Sequence, residues 1–286
     1  VAFLKRLMPQ YPLPVIIVSA LSRAGAAVTL DALASGAVDF VLKPSSSFGR
    51  RLDTMAHELT EKVLIAAATD VSHWRNRTFR LPTARVAQQA LQESSSKVIA
   101  IGASTGGTVA LTRIVAGLPR TIPGCVIVQH MPPVFTAMFA DKLNQISAVE
   151  VAEAVDGERV LTGRVLVAPG GMHTTLERQG GRYVVRCLEG EAVNGHCPSV
   201  DVMMHSVARS VGANAVGVVL TGMGADGADG LLAMRKAGAR TFAQDEASSV
   251  VFGMPKQAHA IGGAERLIPI DDVTAQLVAL SREIVS

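Results

Sequence analysis

Aromatic side chains are scarce in this chain: they make up 4% of its 286 residues, with one Trp and two Tyr. Hydrophobic residues still reach 49%, so a sizeable core is possible, built from Val, Ile, Leu, Ala and Met. No stretch approaches the ~18 consecutive apolar residues of a transmembrane helix, which argues against membrane insertion. No signal-peptide layout opens the chain either. Cys125, Cys187 and Cys197 form no metal-spaced pair and no disulfide framework; they read as reduced thiols of a cytoplasmic protein. A strong charge of one sign is also missing. The net charge of +3 is too weakly basic to point to nucleic acid. The chain starts at Val1 without a methionine, and Ala2–Met8 already has helical spacing, so a fragment or truncated start is expected.

What is present is an alternation of strands and helices. Residues 1–68 read as helix, strand (Pro14–Ser19), helix (Ala24–Ser35, ended by Gly36), strand (Ala37–Leu42) and helix (Phe48–Ala68). Residues 69–96 lose apolar periodicity and carry Arg75, Arg77, Arg80 and Arg85; they read as a solvated linker, partly helical near Ala84–Gln92, with a docking surface as the sharper alternative. From residue 97 alternation resumes. Strands are predicted at Val98–Ile101, Cys125–Val128, Arg164–Ala168, Tyr183–Cys187, Ala215–Leu220, Arg240–Ala243 and Glu265–Ile268. Helices are predicted at Val109–Gly117, Val134–Ile146, Val200–Val211, Ala228–Ala237 and Met254–Ala260. Such alternation implies a parallel sheet. Thr174–Leu176 and Tyr183–Cys187 flank Gly180-Gly181, so a hairpin is expected on the sheet's edge.

The run K-V-I-A-I-G-A-S-T-G-G, 97–107, is strand, tight turn and helix with Ser104 at the corner. Glycines at such a corner can present amides to a phosphate at a helix N-terminus. Alternatively, they lift a serine clear of the sheet as a nucleophile. His130 follows the next predicted strand, and Asp226 follows Ala215–Leu220 within T-G-M-G-A-D-G. In a parallel sheet all strand C-termini lie on one edge, where ligands bind. A serine, an imidazole and a carboxylate meeting there suit acyl transfer. Each residue also has a plain alternative: Ser104 or Asp226 as a helix cap, His130 as a structural donor. A rival set, Ser104–Asp226–His259, follows the α/β-hydrolase order, but His259 falls on a predicted helix. His173, His196 and His205 are left unassigned by spacing. His196, in a loop, is either structural or a substrate contact. A nucleotide- or phosphate-binding module remains a competing class. Against it, no Lys follows the glycines and G-x-G-x-x-G is absent. A non-enzymatic adaptor is the third reading, disfavoured by the intact Ser–His–Asp set.

G-A-S-T-G-G (102–107), Q-H-M-P-P (129–133), P-S-V-D (198–201), T-G-M-G-A-D-G (221–227) and E-A-S-S-V-V-F-G-M-P (246–255) resemble the chemotaxis protein-glutamate methylesterases, across 97–270. The resemblance implies an α/β catalytic domain over 97–286, with a doubly wound, mostly parallel sheet and an antiparallel edge hairpin. It implies a triad of Ser104, His130 and Asp226, an oxyanion donor in the Met223 backbone N–H, and a second donor left open. It further implies hydrolysis of glutamate methyl esters on methyl-accepting chemotaxis receptors, deamidation of particular receptor glutamines, and neither metal nor organic cofactor.

Residues 1–68 resemble the C-terminal half of a flavodoxin-like response-regulator receiver. Ser19 and Lys43 match the switch hydroxyl and the lysine, and Phe40 falls where that family carries an aromatic. The resemblance implies a chemotaxis histidine kinase as partner of the full-length parent. The phosphorylated Asp and acidic pair of that family lie on strands upstream of this sequence. The expectation is therefore that this chain takes up neither phosphoryl group nor Mg²⁺, that the half receiver is loosely held, and that a phosphodonor leaves the rate unchanged.

Overall fold

Two short parallel strands organise the first part of the chain. The computed structural model describes residues 1–44, 52–75 and 97–282, and the chain divides into two units, Val1–Leu81 and Pro82–Ser286. In the first unit, α1 (Ala2–Gln10), β1 (Ile16–Ser19), α2 (Arg23–Ala34), β2 (Asp39–Leu42) and α3 (Leu52–Ala68) follow the expected order. Ser22 starts α2 by accepting the Gly25 N–H at 3.0 Å, a helix N-cap. β1 and β2 pair from Ile16↔Asp39 to Ser19↔Leu42. Ser19 and Lys43 are thereby neighbours: the Lys43 N–H donates to the Ser19 carbonyl at 2.7 Å. Ser19 Oγ shares a 2.7 Å hydrogen bond with Thr29 Oγ1. Phe40 is buried, with Lys62 Nζ 5.4 Å from its ring centre. The expected helix start at 48–51, most of the linker at 69–96, its helical turn at 84–92, and Arg77, Arg80 and Arg85 lie outside the described residues.

The second unit is built on a seven-stranded parallel sheet. Its strands are β3 (Val98–Ala103), β4 (Gly124–Gln129), β5 (Glu150–Glu153), β6 (Arg164–Val167), β9 (Ala215–Val219), β10 (Arg240–Gln244) and β11 (Arg266–Ile268). Their order is β11-β10-β9-β3-β4-β6-β5. Every residue of β3, β4 and β9 is buried, as continuous apolar strands covered on both faces must be. One face packs on α6 (Val200–Ser210), α7 (Ala228–Lys236) and α8 (Met254–Ala260), through Val98, Ala100, Met203, Val207, Leu231 and Met254. On the other side α4 (Gly107–Gly117) packs against β3, and α5 (Phe135–Ile146) and α9 (Ile270–Arg282) lie beside it. β3 is flanked by β4 on one side and β9 on the other. The strand order reverses about it, and that switch point is where open α/β sheets form a crevice. Cys125 lies within this core, its thiol pushed up by burial, and the three cysteines are free.

Three features depart from expectation. β7 (His173–Gln179) and β8 (Arg182–Leu188) do form an antiparallel hairpin around Gly180-Gly181, but as a ribbon of their own. The sheet's edges are β5 and β11. The ribbon lies on α6 instead: the Leu176 N–H donates to Ser206 Oγ at 2.9 Å, and Leu176, Tyr183 and Val185 join the core of α6. The edge strand β5 was not predicted, because E-V-A-E carries charge where a central strand is apolar. Such charges shield an edge from further pairing. Helix α9 was also missed, although Ile270, Val273, Leu277 and Leu280 are buried along it at helical spacing. Among the described residues no helix is long and apolar enough to cross a membrane.

Gly102 sits in β3 where α6 approaches closest: a Cβ there would overlap the Val200 side chain. Gly102→Ala is expected to cost about 1–3 kcal/mol in urea unfolding. Val200→Ala in the same chain should recover most of that loss.

Candidate active site

Three strand ends meet at the switch point. Ser104 is the first residue after β3; the turn Thr105–Gly106, with Gly106 at φ +79, leads directly into α4. Its main chain is held on both sides. The Ser104 N–H donates to the Thr221 carbonyl at 3.0 Å. The Ser104 carbonyl accepts the Gly107 N–H at 2.8 Å and Gln129 Nε2 at 3.0 Å. His130 is the first residue after β4, and its N–H donates to the Ala103 carbonyl at 3.1 Å. It is therefore registered beside the residue that precedes Ser104. Asp226 comes from the loop between β9 and α7.

Asp226 is 1% exposed and surrounded by donors. Its Oδ2 lies 2.8 Å from His130 Nε2 and accepts the Val200 N–H at 2.7 Å. Its Oδ1 accepts Ser199 Oγ at 2.7 Å, Asn194 Nδ2 at 3.0 Å and the Asp201 N–H at 3.2 Å. Ser199 is the N-cap of α6, and Val200 and Asp201 are its first turn. The carboxylate thus sits at the positive end of that helix. Burial works to raise the Asp226 carboxyl. The hydrogen bond and charge of His130, followed by Asn194 and Ser199, outweigh burial and hold it well below the usual carboxylate range. An ionised carboxylate only accepts, so His130 must donate from Nε2. In the neutral imidazole Nδ1 then carries the lone pair. That atom is buried, and among the described residues nothing hydrogen-bonds to it.

The structure therefore pairs His130 with Asp226 and sets Ser104 and His130 just past the ends of the adjacent strands β3 and β4. His259 does not join them: it lies on an exposed position of α8, and His130 occupies the carboxylate. His173 is buried, its Nδ1 accepting the Ser199 N–H at 3.3 Å while Nε2 bonds the Glu191 carbonyl at 2.8 Å. His205 lies one helical turn beyond Asp201 in α6. His196 stacks on His130, with ring centres 3.7 Å apart and planes within 16°. Met223, 38% exposed, sits in the same loop as Asp226. Among the described residues nothing accepts its backbone N–H, whereas the Ser104 N–H is occupied by Thr221. Within the described residues no His/Cys/Asp/Glu cluster could hold a metal ion.

Several supporting residues were not singled out from sequence. Thr221 ties three loops: its Oγ1 donates to the Thr105 carbonyl at 2.9 Å and accepts the Val251 N–H at 2.9 Å, while its N–H donates to Gln244 Oε1 at 2.9 Å. Gln129 supports Ser104 from the end of β4. Asn194 and Ser199 support Asp226. Each lies in or beside a motif quoted above; what spacing could not supply is which backbone group each would reach.

Because the folded Asp226 carboxyl is depressed, its stabilisation is fully present above the unfolded value of about 3.9. It is lost as pH falls through the folded value. Urea unfolding of Asp226→Asn against the unmodified chain should differ by about 1–3 kcal/mol at pH 6, and the gap should narrow progressively as pH falls below about 4. Asp201, raised chiefly by burial, contributes with the opposite sign in both proteins.

The sequence matches the family described as CheB methylesterase over residues 99–277. It is 57% identical over 285 residues to a protein-glutamate methylesterase/protein-glutamine glutaminase of Syntrophotalea carbinolica, covering 99% of this chain and 81% of that one. A protein of the same name numbered 2, from Syntrophomonas wolfei, is 49% identical, again covering 99% and 81%. The crystal structure of the Thermotoga maritima CheB methylesterase catalytic domain superposes with a TM-score of 0.63 at 37% identity, covering 64% of this chain and 98% of that one. With the matching region spanning the parallel sheet and all three strand ends at its crevice, this chain belongs to the CheB methylesterase family.

Proposed function

We propose that the chain is a serine hydrolase of bacterial chemotaxis that removes methyl groups from glutamate methyl esters of methyl-accepting receptors and deamidates specific receptor glutamines. The observation that carries the reading is the Asp226–His130 pair, which holds the ring by Nε2 and leaves its buried Nδ1 without a hydrogen-bond partner among the described residues, with Ser104 and His130 just past the ends of the adjacent strands β3 and β4. Ser104 Oγ attacks the ester carbonyl and gives its proton to His130 Nδ1. The negative oxygen that forms is stabilised by the Met223 N–H, a preorganised donor of the kind that stabilises such intermediates. Collapse breaks the C–O bond, and the proton on Nδ1 leaves with methanol. Water then attacks the acyl-enzyme, its proton passing to Nδ1 and on to Ser104 Oγ, which frees the glutamate. With a glutamine substrate the same steps release ammonia. Asp226 keeps its charge throughout, holding Nε2–H and stabilising the imidazolium.

Residues 1–68 fit the C-terminal half of a receiver, with Ser19 and Lys43 at adjoining strand ends as a switch pair requires. Residues 69–96 then form the linker and 97–286 the catalytic domain. A chemotaxis histidine kinase would address the receiver of the full-length parent. The substrate glutamates belong to receptor cytoplasmic helices, so the enzyme works in the cytoplasm without inserting in the membrane.

Methanol release from methylated receptor tests the triad. Ser104→Ala and His130→Ala should each lower kcat by at least ~10³-fold, while His259→Ala stays within twofold of the unmodified chain (roughly the scale of a surface change). Loss with His259→Ala and survival with His130→Ala would transfer the base to α8.

A further inference from the structure

Residues Val193–His196 form a two-residue hairpin turn that neither the nucleophile nor the sheet requires. Val193 and His196 exchange N–H···O bonds of 3.0 and 2.9 Å, and Asn194 and Gly195 both have positive φ, +52 and +79. This is the type I′ pattern for which Asn-Gly is the preferred pair. The turn's backbone faces solvent, yet two of its side chains reach inward to two members of the site. Asn194 Nδ2 bridges Asp201 Oδ2 at 2.7 Å and Asp226 Oδ1 at 3.0 Å. Two residues on, His196 lies flat on the His130 ring.

The His130 ring is held at one edge, by Nε2 on Asp226. A single hydrogen bond leaves the ring free to tilt about its Cβ–Cγ axis, which would change where Nδ1 points. A flat partner at 3.7 Å blocks that tilt from one face and contributes to leaving the His130 side chain only 6% exposed. Displacing a reacting atom by about 1 Å can cost roughly 10²-fold in rate, so a constraint on ring tilt bears directly on proton transfer.

We propose that His196 is a positioning residue for His130, fixing the plane of the imidazole by stacking. In the same arrangement, Asn194 locks the turn to Asp226, so that ring and carboxylate are held by one rigid hairpin. The proposal rests on His130 being the base. It assigns no proton transfer to His196 and needs only a planar side chain at that position.

The test is steady-state methanol release by the full chain, comparing His196→Ala, His196→Phe and His196→Leu, with Ser104→Ala and His130→Ala alongside. His196→Ala should lower kcat by about 10- to 100-fold with KM within threefold. His196→Phe, which keeps a flat face and no ring nitrogen, should recover most of that loss; His196→Leu, bulky but not planar, should not. The low-field proton NMR signal of His130 Nε2–H should stay sharp in His196→Phe and broaden in His196→Leu. Unchanged kcat in His196→Ala overturns the proposal, as does His196→Phe no faster than His196→Leu when both are folded by circular dichroism. If His196→Ala fails to fold, the Phe–Leu pair carries the decision. If Ser104→Ala and His130→Ala remain active, the triad itself is wrong; if both are dead and the His196 series is flat, only the positioning role falls.

Discussion

The carboxylate of Asp226 at the N-terminus of α6 is the interaction around which the catalytic unit is arranged. A buried charge is costly unless its lone pairs are filled. Here they are filled by the first-turn amides Val200 and Asp201, the capping hydroxyl of Ser199, the Asn194 amide and the His130 ring. Those donors come from the start of a helix, the surface turn just before it, and a strand end more distant in sequence. Satisfying one anion therefore fixes the relative placement of all three. The close approach of Val200 to Gly102 carries the constraint into β3, the strand that presents Ser104.

A second layer keeps the loops from moving independently. Thr221 links the serine turn, its own glycine-rich loop and the segment before α8. Gln129 and Gln244, both buried at strand ends, use their amides on neighbouring loop backbone. These are short side chain–backbone bonds in a dry setting, where a lost partner leaves an unsatisfied group and the cost is high. The Met223 N–H lacks such a partner among the described residues, in a loop whose neighbouring amides at Gly222 and Gly253 are bonded.

The strands of the central sheet were legible because burial on both faces demands continuous apolar runs, as in Val98–Ile101 and Cys125–Val128. β5 was not, since an edge strand is alternating and charged. The hairpin was legible as a hairpin from Gly180-Gly181. Its seat on α6 was not, because alternation in a ribbon says which face is buried but not against what. Ser104, His130 and Asp226 could be read from their places just beyond three strands. His196 was legible only as a loop residue, structural or touching substrate: a histidine in a loop carries no periodicity, and its stacking partner is 66 positions away by residue number (196 − 130).

The sequence alone determined the alternation that makes a parallel sheet, the residues at its strand ends, and the family motifs, because all of these are local patterns or fixed spacings. Only the tertiary structure decided which histidine meets Asp226, which nitrogen of that ring is left open, and what lies on its face. Those outcomes depend on distances of a few ångströms between segments that the chain brings together only when helices close over both faces of the sheet.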